Sequence, residues 1–136
     1  MIKSFKELIN FTFRSNVPRW PSFEIVKIGM LDPTHIVWVR SDDSCNIPCF
    51  HVSDSATCGR KFSATICIEC NRYLKHSRAK SELTQEMRIQ LVDFLKKTNK
   101  KGLSNWEFLV DTWNRNHPNI IIPEESEMPD YTEITQ

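Results

Sequence analysis

From Phe23 onward, the apolar positions of this chain recur every second residue. "FEIVKIGML" (23–31) and "HIVWVR" (35–40) are β-branched and aromatic runs separated by the turn-forming "DPT". "PCFHV" (48–52) and "KFSATICIE" (61–69) continue the alternation, with "SDSATCGR" between them as a loop. In the last run Phe62, Ala64, Ile66 and Ile68 share one face, and Ser63, Thr65, Cys67 and Glu69 share the other. Four consecutive strands with short connections predict an antiparallel meander, its polar face half exposed.

Elsewhere the period is helical. Ser4-Phe5-Lys6-Glu7 has the Ser-x-x-Glu form of a capping box and predicts a helix to about Arg14, stopped by Pro18 and Pro21. Met87, Leu91, Val92 and Leu95 make an apolar stripe, with Thr84 as N-cap and Gly102 past the end. Ser104-Asn105-Trp106-Glu107 is a second capping box. It opens a helix with Trp106, Leu109, Val110 and Trp113 on one side, where tryptophans serve as core. The expected fold is α+β: a small antiparallel meander of about four strands, with an N-terminal helix and two C-terminal helices packed on the sheet. The domain is read as 1–122. Residues 123–136 have no period and read as an acidic, flexible tail.

Composition adds little to this picture. At 136 residues, with 40% hydrophobic and 26% charged residues, one domain with its own core is expected. No apolar run has the length of a membrane span. The N-terminus alternates charged and apolar residues, unlike a secretory leader. An odd cysteine count of five fits reduced thiols in the cytoplasm.

Charge changes the picture more. Of 18 Lys and Arg and 17 acids, five acids and no base fall in 117–136. Residues 1–116 therefore hold 18 bases against 12 acids. Arg72, Lys75, Arg78, Lys80, Lys96, Lys97, Lys100 and Lys101 concentrate the excess and are the candidate nucleic-acid contacts. A solvated helix face is the plainer reading of the same run.

Candidate chemistry lies in "CNIPCFHVSDSATCGRKFSATICIEC" (45–70), which holds every cysteine. Cys45-x3-Cys49 and Cys67-x2-Cys70, 17 residues apart, have near zinc-ribbon spacing. A strand running through position 70 would, however, point Cys67 and Cys70 to opposite faces. Strand alternation instead collects Cys49, His51, Cys67 and Glu69 on one face. There His51 is the candidate acid/base, with Glu69 and Cys49 as weaker partners. A polar strand face with inert thiols is the alternative. Cys58, beside Gly59-Arg60-Lys61, has too few free N–H groups nearby for a phosphate loop.

The succession of "IPCFHV", "SATICIE", the helix "LTQEMRIQLVDFLKK" and "SNWEFL" resembles the prokaryotic domain-of-unknown-function family 4160. That family carries a Pro-Pro-His-Phe-His-Val motif and a later helix with Asn-Trp near its start. Pro48, Phe50, His51, Val52, Asn105 and Trp106 carry the likeness, over about residues 23–115. Cys49 replaces the motif's first histidine, so a two-histidine mechanism does not carry over. The resemblance implies a small cytoplasmic bacterial or mobile-element protein, toxin–antitoxin-like, acting through a small protein partner encoded nearby. It brings no cofactor and no settled reaction. RNA or DNA contact is the companion expectation from the basic residues. A ribonuclease-type enzyme using His51 and a zinc-binding module are the alternatives.

Overall fold

The computed structural model describes residues 25–41, 46–74 and 81–135. The helix expected over 4–14 lies outside the described residues.

Four strands, β1 (Ile25–Asp32), β2 (His35–Arg40), β3 (Cys49–Asp54) and β4 (Ser63–Cys67), form one antiparallel sheet in the order β1-β2-β3-β4. The expected meander is present, and each turn has a chemical cause. Between β1 and β2, the Asp32 carboxylate accepts hydrogen bonds from the Thr34 N–H at 2.8 Å and the Thr34 hydroxyl at 3.0 Å. The His35 ring meets the same carboxylate at 2.9 Å. Between β3 and β4, the Asp54 carboxylate takes the N–H groups of Thr57 at 2.7 Å and Phe62 at 2.9 Å, and the Thr57 hydroxyl. Burial alone would raise the Asp54 pKa, but these donors together hold it below the usual aspartate value. Cys58 and Gly59 both adopt positive φ, 54° and 84°, to close this loop.

β4 is shorter than its alternating pattern. The run through Glu69 predicts a strand to the end of "CIE", but the strand stops at Cys67 because the chain doubles back there. The Cys67 N–H donates to the Arg72 carbonyl at 2.9 Å, and Tyr73 pairs with Ile66. Leu74 N–H reaches the Thr65 carbonyl at 2.9 Å, so residues 72–74 lie along the outer edge of β4.

Two helices, α1 (Gln85–Lys96) and α2 (Asn105–Asn116), pack against the sheet. Thr84 caps α1 by accepting from the Met87 N–H. Ser104 and Glu107 form the expected reciprocal capping box on α2, at 3.0 and 3.2 Å. Val37, Val39, Phe50, Val52, Ala64 and Ile66 give the sheet its apolar face. Leu91, Leu95, Leu109 and Trp113 join them in one core cluster. Removing a side chain such as Leu91 from water contributes about 2 kcal/mol. Gly29 of β1 faces the Phe94 ring so closely that a Cβ would lie 2.7 Å from Cε1 and Cζ.

The segment after α2 corrects the tail expected over 123–136. Ile122, Tyr131 and Ile134 are buried and belong to the core. A 3-10 turn over Tyr131–Glu133 is capped by Asp130. The Tyr131 hydroxyl donates to the Ile68 carbonyl at 2.6 Å, and Thr135 pairs in parallel with Arg72. The domain thus continues to Thr135. The acids of the segment face outward, whereas Ile122, Tyr131 and Ile134 face in and Ile121 stays exposed. Glu124, Glu125, Glu127, Asp130 and Glu133 are all exposed. Among the described residues, no helix is long and apolar enough to cross a membrane.

Candidate functional site

Alternation puts Trp38, His51 and Thr65 in one row across β2, β3 and β4, on the face opposite the apolar core. The His51 imidazole stacks on the Trp38 indole, with centroids 4.2 Å apart and planes 21° from parallel. Its Nδ1 shares a hydrogen bond of 2.8 Å with the Thr65 hydroxyl. In the neighbouring rows, the Trp38 Nε1–H donates to the Ser53 hydroxyl at 3.0 Å. Ser53 in turn meets Ser63 at 3.4 Å. Cys49 and Cys67 stand opposite each other across β3 and β4.

The sheet therefore brings Cys49, His51 and Cys67 to one face, as the alternation predicts. Glu69 is not among them: it lies past the strand end, exposed on the turn. Nor is this face half exposed. Cys49, Trp38, His51, Thr65 and Cys67 retain at most 4% of their surface. A general acid or base must come within roughly 3 Å of a substrate atom. His51 is instead enclosed inside the molecule, its ring stacked on an indole and its Nδ1 bonded to a hydroxyl.

The four cysteines of the zinc reading divide differently. Cys45 lies outside the described residues. Among the described residues, no three His, Cys, Asp or Glu side chains are placed to hold a metal ion. Cys67 and Cys70 nevertheless do come together. β4 ends at Cys67, so the alternation that would send Cys70 to the opposite face does not extend to it, and the turn leaves Cys70 as the neighbour that acts on the Cys67 thiol. Burial first, and then this neighbour, push the Cys67 thiol up to about 11. Burial and the nearby Asp54 charge raise Cys58 as well.

The basic candidates gather at a second place. Lys96 ends α1, and Lys97, Lys100 and Lys101 lie on the connection to α2; all four are exposed. That connection is tightly built. The Asn99 side chain accepts from the N–H groups of Lys101 at 2.9 Å and Leu103 at 3.2 Å. Gly102 takes φ of 83° and donates to the Asn99 carbonyl. Asn105 ties the far end, its side-chain amide donating to the Phe94 carbonyl at 2.8 Å and its backbone N–H to Lys97. No acid lies between positions 96 and 102. The charge of Lys96 acts on Asp130, whose carboxyl is held below its ordinary value mainly by Thr132. Arg72 is exposed beside Thr135. Lys75, Arg78 and Lys80 lie outside the described residues.

Sequence reasoning missed Asn99 as the organiser of the lysine turn. Its signal is an asparagine three residues before a glycine between two helices. It also missed Tyr131, which sits in an acidic stretch with no periodicity. No family model, no curated protein and no solved structure matches this chain.

Proposed function

We propose that this chain is a small binding protein of the toxin–antitoxin-like or mobile-element accessory kind. It works through a protein partner encoded nearby and contacts nucleic-acid backbone at the lysine turn between α1 and α2. The observation that carries the nucleic-acid half is the turn itself. Lys96, Lys97, Lys100 and Lys101 are exposed, with no acid interspersed, on a backbone fixed by Asn99, Gly102 and Asn105. A pre-ordered cationic turn gives up little further backbone entropy on meeting a polyanion, so most of the counterion-release energy goes to binding. Such contact positions the protein on phosphates without reading sequence. The resemblance of "IPCFHV" and "SNWEFL" to family 4160 supports the partner half.

The test is fluorescence anisotropy with labelled duplex DNA and with single-stranded RNA across a salt series. Each phosphate contact on B-DNA adds a slope of about 0.9 in log K against log salt. Lys97→Glu combined with Lys100→Glu should flatten that slope by about two contacts. Binding that is absent, or insensitive to salt, overturns the nucleic-acid half. Inducing the gene with and without its neighbour tests the partner half. Growth unaffected in either case counts against it.

A further inference from the structure

The turn that ends β4 is a dithiol site as well as a strand terminator. It spans residues 67–72 and is closed on one side by the Cys67 N–H to Arg72 carbonyl bond at 2.9 Å. On the other side, the Ile68 N–H donates to the Pro48 carbonyl, also at 2.9 Å. Within it, Cys67-Ile68-Glu69-Cys70 has the C-x-x-C spacing on one closed turn, with Cys70 the neighbour that acts on the Cys67 thiol. Both are reduced. Cys67 is 3% exposed, whereas Cys70 is only half-buried, so one sulfur meets solvent and the other stands directly behind it. Two cysteines on one tight turn can close to a disulfide when their Cα atoms lie within about 7 Å.

We propose that Cys67 and Cys70 form a reversible thiol–disulfide pair, with Cys70 as the entry sulfur and Cys67 as the resolving one. The oxidant is a small-molecule disulfide, RSSR. The Cys70 thiolate attacks one sulfur of RSSR, giving a Cys70–S–S–R mixed disulfide and releasing RS⁻, which takes up the proton lost by Cys70. The Cys67 thiolate then attacks the Cys70 sulfur, breaking the mixed bond. The second RS⁻ leaves and takes up the proton lost by Cys67. Two protein thiols become one disulfide, and RSSR becomes two RSH. Cys49 faces Cys67 across the sheet but is 2% exposed, so solvent reaches the pair through Cys70.

The experiment incubates the reduced full chain with glutathione disulfide, alkylates the remaining thiols and maps them by mass spectrometry. The expected product is an internal Cys67–Cys70 disulfide, two hydrogens lighter and reversed by dithiothreitol. Cys67→Ser should trap glutathione on Cys70, and Cys70→Ser should leave Cys67 unmodified. Three results in the wild-type chain would each overturn the proposal: both cysteines alkylated after prolonged oxidation, Cys67 joined to Cys45 instead, or one equivalent of zinc co-purifying and shielding these thiols. All of these readouts are independent of the lysine turn.

Discussion

The Tyr131 hydroxyl donates a 2.6 Å hydrogen bond to the Ile68 carbonyl, across 63 residues of chain. The ring is fully buried, edge-on to Phe50 at 5.5 Å. This contact fastens the acidic C-terminal segment to the turn that follows β4.

Tyr131→Phe should cost about 1 kcal/mol, the net worth of one buried hydrogen bond, and Tyr131→Ala about 3–5 kcal/mol through the cavity it leaves. Urea denaturation midpoints measure both. An Ala variant as stable as wild type would show that the segment does not belong to the core.

The same contact fixes a pH dependence. Burial raises the Tyr131 hydroxyl well above its ordinary value, and burial with Cys70 beside it raises Cys67 from 9.0 to about 11. Both groups keep their protons in the folded chain after the unfolded chain has begun to lose them. Their stabilisation is complete below about pH 9 and falls as pH rises from there through 11. Thermal melts between pH 8 and 11 should show a steady fall in Tm, shallower in Tyr131→Phe than in wild type. A flat profile would contradict the burial of both groups.

Gly29 and Phe94 constrain each other. A methyl group at 29 would lie 2.7 Å from the ring edge, so Gly29→Ala should destabilise by about 1–2 kcal/mol as the ring is displaced. In a Phe94→Leu background the same change should cost markedly less, and a double-mutant cycle reads the coupling. Equal costs in both backgrounds would mean that the contact is not what excludes a side chain there.

Asn105 binds the end of α1 to the start of α2. Asn105→Ala leaves the Phe94 carbonyl without its side-chain donor and should cost about 1–2 kcal/mol. Loosening the lysine turn in this way should also weaken polyanion binding while every lysine stays in place. Unchanged affinity in a destabilised variant would show that the order of the turn does not matter to binding.

His51→Ala separates a structural from a catalytic histidine. Losing the stack on Trp38 and the Thr65 hydrogen bond should cost about 2–3 kcal/mol, seen as a lower Tm. A variant with wild-type Tm that loses a ribonuclease activity present in the parent would restore the acid/base reading.

The sheet and both described helices are legible in the sequence because their signals are local. Period-two runs, Asp32 and Asp54 at turns, and Ser104 with Glu107 each act within a few residues. What escapes such a reading depends on distant partners. β4 ends at Cys67 rather than beyond Glu69 because Arg72 and Tyr73 return to pair with it, and nothing in "CIEC" shows that. The alternation of Cys49, His51, Ser53, Ser63 and Thr65 looks like a wet face, yet most of these side chains are buried, His51 bonded to Thr65 and Ser53 to Ser63. Tyr131 and Ile134 are too sparsely spaced to make a pattern. As for the candidate site, the lysines were readable as charge, whereas the rigidity of their turn was not.

The parallel pairing of Thr135 with Arg72 has a kinetic consequence. Hairpins and capped helices assemble from neighbours in sequence, whereas joining 135 to 72 means closing a long loop, at a larger entropic cost. This pairing is therefore expected to form last on folding and to open first during native-state fluctuation. In hydrogen exchange, the Tyr73 amide, which donates to the Thr135 carbonyl at 2.7 Å, should lose protection before the amides at the centre of β3. The Thr135 N–H also donates to the Asn71 carbonyl at 2.8 Å, so each such opening would release both ends of the 71–73 stretch that follows the thiol turn.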